Sequence, residues 1–241
     1  MRNWSKNKTR YPIIDSLRGL SVLGMVIFHA NYLLENVFSR DIIPLWDLFW
    51  KVLGYSVAVT FIFLAGLVSL LSANGKSLWV IMRKALNRTL ILSLVALGIS
   101  VSTYAFIPEQ AISWGIIHFL ALSSIVGVFT LRGGYLNLFW GILFLTPPYI
   151  TLPTLHAWFL IPLGFPPLDF FSADYYPLIP WFGYYLLGQG IANLGIRYDI
   201  LRYLKNESLS NVFLSFLGKH ALLIYILHVP ILYGIFFLYF R

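Results

Sequence analysis

The stretch Leu45–Ala73, LWDLFWKVLGYSVAVTFIFLAGLVSLLSA, decides the fold class of this chain. Its last 22 residues, from Val52 onward, contain no charged side chain. A run of about 20 consecutive apolar residues is long enough to cross the hydrocarbon core of a bilayer as a helix. This stretch therefore predicts a transmembrane helix.

The composition of the whole chain also indicates a protein that is surrounded by lipid rather than by water. Hydrophobic residues make up 59% of the 241 residues and charged residues only 11%, whereas a soluble domain carries about 25% charged residues. The chain has no cysteine, which excludes disulfides, thiolate catalysis and cysteine-ligated zinc or iron–sulfur sites. We therefore predict an all-α integral membrane protein.

Apolar runs of similar length recur along the chain and predict a single bundle of about seven transmembrane helices, which we treat as one domain over residues 1–241. The predicted spans are Ile13–Leu34, Leu45–Ala73, Leu86–Ile107, Ile112–Leu131, Tyr135–Ile150, Tyr175–Leu194 and Leu217–Tyr239. The segment Thr151–Ala173 contains four prolines, which a regular helix does not accommodate. We expect it to be an irregular external or re-entrant segment.

Lysine and arginine are unevenly divided between the two sides of this predicted bundle. The side that carries the N-terminus has 14 of the 17 basic residues, and the other side has six of the nine acidic residues. Basic loops are retained in the cytoplasm, so the N-terminus is predicted to be cytoplasmic. Because this topology explains the net charge of +8, we expect no nucleic-acid partner.

Three ionisable side chains, Asp15, Arg18 and His29, lie in the first predicted span, where each costs roughly 2.5–3.5 kcal/mol on insertion. Their spacing brings them to one face of a helix, which indicates a polar stripe facing the inside of the bundle. Asp15 and Arg18 are explained equally well as an ion pair at the membrane interface. His29 is either a hydrogen-bonding residue between helices or a general base, a role suited to imidazole.

Further histidines occur in other predicted spans, and His118 is expected at roughly the depth of His29. Trp114 and His118 are i,i+4 neighbours in the fourth predicted span, and His228 lies near the middle of the last one. The sequence has no paired spacing such as HExxH, so we expect no metal site.

Arg83, Lys84 and Arg88 form a basic set at the predicted start of the third span. Such residues bind phosphate groups, but they also mark cytoplasmic topology and contact anionic lipid. The sequence GQG at Gly188–Gly190 lacks the third glycine of a dinucleotide-binding fingerprint. It is better explained by close helix packing.

Four blocks of the sequence resemble a known enzyme family. They are IDSLRGLSVLGMVIFH at Ile14–His29, WGIIHFLALSS at Trp114–Ser124, DYYPLIPWFGYYLLG at Asp174–Gly188 and LGKHALLIYILHVP at Leu217–Pro230. The first block contains the R-x10-H pattern of transmembrane acyltransferases, between Arg18 and His29. Together the blocks are similar to the bacterial relatives of the heparan-alpha-glucosaminide N-acetyltransferase catalytic domain.

This resemblance implies a multi-pass protein of the bacterial inner membrane, in contact with membrane lipid. It further implies that the protein moves an acetyl group from cytoplasmic acetyl-CoA to a glycan or other small polar acceptor on the outer face. On this reading His29 is the base and needs no metal. The residues expected to orient His29 or to stabilise the oxyanion are Trp114, His118 and His228.

The same reading assigns acyl-CoA binding to residues at the cytoplasmic entrance, which are Asp15, Arg18, Arg83, Lys84 and Arg88. Tyr175, Tyr176 and Trp181 either stack on a sugar ring at the outer mouth or anchor the chain in the interface.

The main alternative is a transporter or channel that uses the intramembrane Asp/Arg/His stripe to move protons or a solute. A noncatalytic membrane protein that binds lipid or acyl-CoA is a further alternative. The identity of the acceptor, the choice between N- and O-acylation and the oligomeric state, with a homodimer among the options, stay open.

Overall fold

The computed structural model describes residues 11–40, 47–146, 157–204 and 210–240. These residues form α-helices, short 3-10 turns and connecting loops, and contain no β-strand. The α-helices are α1 Pro12–Asn36, α2 Asp47–Ala73, α3 Leu78–Phe106, α4 Ile116–Thr130, α5 Leu136–Leu145, α6 Leu178–Arg197, α7 Leu201–Leu204, α8 Val212–Lys219 and α9 Ala221–Tyr239. The predicted all-α fold class is confirmed.

Five segments of the described chain are long and apolar enough to cross a membrane. They are α1, α2, α3, α4 with the turn that follows it to Gly133, and α9. The predicted number of seven spans is not confirmed, because α5 has only ten residues and α6 is not among the five candidates. The spans from Leu45 and Ile112 nevertheless correspond closely to α2 and α4.

The boundaries of the third and the last predicted spans differ from the structure. Helix α3 begins at Leu78 rather than Leu86, so Arg83 and Lys84 lie inside the helix, with Arg88, rather than just before it. The last predicted span is divided at His220, which separates α8 from α9 and has non-helical dihedral angles of −104° and 16°.

The described part of the proline-rich segment, residues 157–173, contains no α-helix. A six-residue 3-10 helix at Trp158–Leu163 includes Pro162, whose ring prevents a regular helix from continuing. The described residues of this segment are therefore irregular, and its external or re-entrant placement stays a prediction, whereas residues 151–156, including His156, lie outside the described residues.

The outer surface of α3 is suited to lipid rather than water. Leu90, Leu94, Leu97 and Val101 follow one another at helical spacing, and each is 59–61% exposed. A soluble helix would turn such a stripe toward a core. Its exposure fits a helix whose solvent is the hydrocarbon of a bilayer.

The chain divides into two compact units, and the single-domain organisation stays a prediction. Unit 1 contains the chain up to Phe61 and from Tyr198 onward, and unit 2 contains Ile62–Arg197. In unit 1, α1 packs closely against α8. A Cβ atom at Gly19 or at Gly218 would collide with backbone carbonyl oxygen of the facing helix, so these glycines permit the close approach.

Unit 2 is organised around Gln189, whose side chain is fully buried. Its Oε1 accepts hydrogen bonds from Thr130 Oγ1 at 2.8 Å and Asn137 Nδ2 at 3.0 Å. Its Nε2 donates to Ser69 Oγ at 3.1 Å and to the carbonyl oxygen of Gly127 at 2.9 Å. The amide thus uses two acceptor and two donor positions, which connects α2, α4, α5 and α6.

The glycines on either side of Gln189 allow these helices to approach. A Cβ atom at Gly188 would collide with the carbonyl oxygen of Phe63, and one at Gly190 would collide with Leu138. The predicted packing role of the GQG sequence is therefore confirmed for both glycines.

Candidate active site

Asp15 and Arg18 lie one turn apart near the start of α1 and form an ion pair. Arg18 Nη1 is 3.7 Å from Asp15 Oδ1, and Asp15 is 8% exposed. The Asp15 backbone faces Gly218 of α8. The structure therefore pairs these two predicted acyl-CoA ligands with each other, and their contact with acyl-CoA stays a prediction.

His29 lies 11 residues beyond Arg18 in the same helix, which corresponds to about 16 Å along the axis. Its Nδ1 is 2.9 Å from the carbonyl oxygen of Met25. A carbonyl oxygen only accepts, so Nδ1 carries the hydrogen in this bond and the neutral ring keeps its lone pair on Nε2. His29 is thus held in the tautomer that a general base at Nε2 requires.

His228 of α9 contacts His29 within unit 1. Their ring centroids are 4.7 Å apart with an angle of 75° between the planes. His228 Nδ1 donates to the carbonyl oxygens of Tyr225 at 2.7 Å and Ile224 at 3.2 Å. His228 is 7% exposed, and its Nε2 is buried with no hydrogen-bond partner among the described residues. Among the described residues neither His29 Nε2 nor His228 Nε2 has a hydrogen-bond partner, so the two imidazoles present two uncommitted lone pairs there.

Trp114 and His118 lie at the start of α4, in unit 2. The backbone N–H of Gly115 donates to His118 Nδ1 over 3.2 Å, so this nitrogen is the acceptor in the neutral ring. Ser100 Oγ lies 3.2 Å from His118 Nε2 and donates its own hydrogen to Ile112 O at 2.6 Å. Nε2 is therefore a donor, and both ring nitrogens hold the first turn of α4 in place.

The basic set lies on the exposed side of α3, and two of its members line a cavity in unit 2. The cavity has a volume of about 80 Å³ and lies between the end of α2, the start of α3, and helices α4 and α6. Its polar lining residues include Ser69, Ser72, Lys84, Arg88, Ser124 and Tyr185. Arg83 is exposed and does not line this cavity.

Lys76 adds a further positive charge beside this cavity. Its ammonium donates to the carbonyl oxygen of Ser72, which lines the cavity. Burial lowers the pKa of Lys76, and the adjacent Lys84 lowers it further. The sequence contains no Asp or Glu between residues 48 and 108. Lys76, Lys84 and Arg88 are therefore grouped at this cavity, and neither α3 nor the loop before it contributes an acidic residue.

The comparisons with known proteins identify the family. The family model described as heparan-alpha-glucosaminide N-acetyltransferase, catalytic, matches residues 10–230. The chain belongs to this family. The match confirms the resemblance found in the four sequence blocks. The searches of curated proteins and of solved structures return no match.

Membership of the heparan-alpha-glucosaminide N-acetyltransferase catalytic family makes this chain a transmembrane acetyltransferase-like protein, and the family implies acetyl-CoA as the acetyl donor. The predicted catalytic residues form two groups, one in each unit of the chain. His29 and His228 contact each other in unit 1, and Trp114 and His118 contact each other in unit 2 with ring centroids 5.4 Å apart. Among the described residues, no group of three His, Asp or Glu side chains is placed to hold a metal ion.

Asp174 is the residue of this site that sequence reasoning missed. It opens the family-like block DYYPLIPWFGYYLLG, which is the signal that would have directed attention to it. Its Oδ2 accepts a 2.9 Å hydrogen bond from the backbone N–H of Ile116, the first residue of α4. Burial raises the pKa of Asp174 to about 6, although the bond from Ile116 opposes this shift.

Trp114 connects the Asp174 segment to α4 by one backbone hydrogen bond and one side-chain hydrogen bond. The Tyr176 N–H donates to the Trp114 carbonyl oxygen, and Trp114 Nε1 donates to the Tyr176 carbonyl oxygen, each over 3.1 Å. Because the two residues exchange hydrogen bonds, Trp114 fixes the chain next to Asp174 rather than presenting a free N–H to a ligand.

Proposed function

We propose that this protein is an acetyl-CoA-dependent acetyltransferase that acetylates a small polar acceptor, such as an amino sugar or a glycan, on the outer face of the membrane. Family membership supports acetyl transfer. The observation that supports His29 as the base is its tautomer, because the bond to Met25 leaves Nε2 unprotonated.

The proposed chemistry at His29 is deprotonation of the acceptor. Nε2 takes the proton from the acceptor nitrogen or oxygen as this atom attacks the thioester carbonyl of acetyl-CoA. The tetrahedral intermediate then collapses, and the sulfur of CoA leaves as thiolate and takes up a proton. General base catalysis of this kind contributes about 10²–10⁴-fold to a rate.

His228 is the proposed partner of His29. Its ring contacts His29 and its buried Nε2 lacks a partner among the described residues. A second neutral imidazole beside the base offers a place for the proton after transfer and limits the positions that the His29 ring can take. We assign His228 the role of a positioning and proton-holding residue.

We assign the phosphates of CoA to the cavity lined by Lys84 and Arg88. About 10–15 Å³ of such space holds one water molecule, so a cavity of about 80 Å³ accommodates a group of several heavy atoms, such as a phosphate. Lys76 adds a third positive charge beside it. The basic-residue distribution predicts that this end of the helices is cytoplasmic, which is where acetyl-CoA is available.

The test uses purified protein in proteoliposomes with acetyl-CoA labelled in the acetyl group and glucosamine as the acceptor probe. We expect label to appear on glucosamine and free CoA to appear in equal amount. We also expect acetyl-CoA to raise the thermal unfolding temperature of the protein, because a ligand that binds only the folded state stabilises it.

Two results would contradict the proposal. The first is the absence of both acetyl transfer and acetyl-CoA-dependent stabilisation. The second is movement of protons or solute through the liposome membrane without cleavage of the thioester, which would favour the transporter alternative.

A further inference from the structure

His29 and His228 of unit 1 share the same local arrangement. In each ring Nδ1 donates to a backbone carbonyl oxygen of the preceding turn, that of Met25 at 2.9 Å for His29 and that of Tyr225 at 2.7 Å for His228. Neither Nε2 has a hydrogen-bond partner among the described residues. Each neutral ring therefore keeps its lone pair on Nε2, in a tautomer that the backbone holds in place.

This arrangement is the one in which histidine side chains bind metal ions. A histidine that ligates a metal through one ring nitrogen almost always donates the N–H of the other to a backbone carbonyl, a carboxylate or water. The neutral ring is also the form that a metal ion requires of its ligand. General base catalysis by His29 uses one of the two lone pairs, whereas a metal ion bound by both rings uses both at once.

The separation of the two rings is suitable for one shared ion. With Zn–N bonds of about 2.0–2.1 Å, two imidazoles on one tetrahedral Zn²⁺ have ring centroids roughly 5 Å apart. The centroids of His29 and His228 are 4.7 Å apart. The rings belong to different helices, α1 and α9, which pack against each other in unit 1. Helix packing therefore sets the distance between the two rings.

The described part of the chain offers this pair no third protein ligand. Within it, no group of three His, Asp or Glu side chains is placed to hold a metal ion, and the chain has no cysteine. Structural zinc sites use four protein ligands and catalytic sites three. A site with two histidines therefore binds its ion weakly and reversibly, as an inhibitory ion does, rather than keeping it as a resident cofactor.

We propose that His29 and His228 form a reversible inhibitory site for Zn²⁺, with both Nε2 atoms as ligands and water in the remaining positions. An ion bound there occupies the lone pair with which His29 takes the proton of the acceptor, so acetyl transfer stops until the ion leaves. The inhibition rests on the proposed acetyl transfer, whereas the binding of Zn²⁺ does not. Mg²⁺ and Ca²⁺ prefer oxygen ligands and should neither bind at this site nor inhibit.

The first measurement is metal binding to the full-length protein in nanodiscs, purified without a histidine tag. Zn²⁺ is titrated by calorimetry. Cu²⁺, which binds such ligands more tightly than Zn²⁺, reports the number of bound imidazoles through nitrogen hyperfine couplings in electron paramagnetic resonance. We expect a single Zn²⁺ to bind, and we expect the bound Cu²⁺ to couple to two imidazoles.

The variants compare the loss of one ligand with the loss of an unrelated histidine. His228→Phe keeps a ring of similar size but has no nitrogen, and thermal unfolding without metal reports whether it folds. Loss of a partner that only supports a ligand already costs roughly 10–100-fold in metal affinity, so His228→Phe should weaken Zn²⁺ binding about tenfold or more. His220→Ala is the matched control. The Nδ1 of His220 also bonds to a carbonyl oxygen of the preceding turn, at 2.9 Å, but its ring contacts Phe216 rather than a second imidazole.

The second measurement is acetyl transfer to glucosamine in proteoliposomes made from protein that a chelator has freed of metal. We expect Zn²⁺ to inhibit the wild type and His220→Ala equally, excess EDTA to restore the rate, and Mg²⁺ at the same concentration to have no effect. The concentration of Zn²⁺ that halves the rate should rise about tenfold or more in His228→Phe, relative to the rate of that variant without metal.

The metal site is overturned if the wild type binds no Zn²⁺, if His228→Phe binds it as tightly as the wild type, or if bound Cu²⁺ couples to fewer than two imidazoles. Inhibition that is unchanged in His228→Phe also overturns it. Failure of the proposed acetyl transfer is a different result, in which the metal-free wild type does not transfer acetyl while Zn²⁺ still binds to the two histidines.

Discussion

Asp174→Asn is expected to remove a pH-dependent loss of stability. In the folded protein burial raises the pKa of Asp174 from 3.8 to about 6. Between these two pH values the folded state therefore binds more protons than the unfolded state, and the free energy of unfolding falls as the pH rises. The penalty is absent below about pH 4 and fully present above about pH 6, when the carboxylate is ionised in both states.

The size of this effect follows from the pKa difference. Each pKa unit corresponds to about 1.4 kcal/mol, so the ionised carboxylate costs the folded protein about 3 kcal/mol. The asparagine side chain keeps the hydrogen bond from Ile116 and has no charge to desolvate. Relative to the wild type, the free energy of unfolding of Asp174→Asn should thus increase by about 3 kcal/mol between pH 4 and pH 8.

The assay is thermal unfolding of both proteins in the same detergent or nanodisc at a series of pH values. By the scaling known for soluble proteins, a change of about 3 kcal/mol corresponds to roughly 6–12 °C for a chain of this size. Comparing differences between the two pH values cancels any packing change that the substitution itself introduces. Asp169→Asn, on the exposed part of the same segment, should show no such trend. Parallel pH profiles for wild type and Asp174→Asn would show that ionisation of Asp174 does not cost the folded protein stability.

Three further predictions concern the core and the donor site. Gln189→Leu should lower the free energy of unfolding by about 3 kcal/mol or more, because it leaves several buried groups without partners; unchanged thermal unfolding would contradict this. Gly188→Ala should destabilise strongly, because its Cβ collides with Phe63, while Gly98→Ala, which meets nothing within 4 Å, should be tolerated in the same assay. Lys84→Ala and Arg88→Ala should weaken acetyl-CoA binding, and the loss, measured by equilibrium binding, should be largest at low salt. Lys219→Ala is the control, because Lys219 is exposed in unit 1. Equal losses of affinity in all three variants would count against the phosphate site.

The helices were predictable where a continuous apolar run in the sequence marks them. The uncharged run from Val52 to Ala73 fixes α2, because twenty or so apolar residues admit few other structures. The start of α3 lies eight residues before the predicted Leu86, because Arg83 and Lys84 interrupt the apolar run in the sequence. Long cationic side chains are tolerated within the first turns of a membrane helix, since they extend toward its end.

The candidate site was only partly predictable, because contacts between distant segments leave no local pattern. The position of His228 near the middle of the last span could be inferred from the sequence, but its contact with His29 could not. Asp174 lies 58 positions beyond Ile116, and no periodicity links the two residues. The engagement of both His118 nitrogens depends on Gly115 and Ser100, so this residue could not be assigned a structural role from its sequence position.

The central claim is that His29 is the base in acetyl transfer. The most direct measurement is the rate of acetyl transfer by His29→Ala, determined together with its affinity for acetyl-CoA. His220→Ala serves as the control because His220 is an exposed histidine between α8 and α9. We expect His29→Ala to bind acetyl-CoA normally and to transfer acetyl about 10²–10⁴-fold more slowly than the wild type. Transfer at the wild-type rate would contradict it.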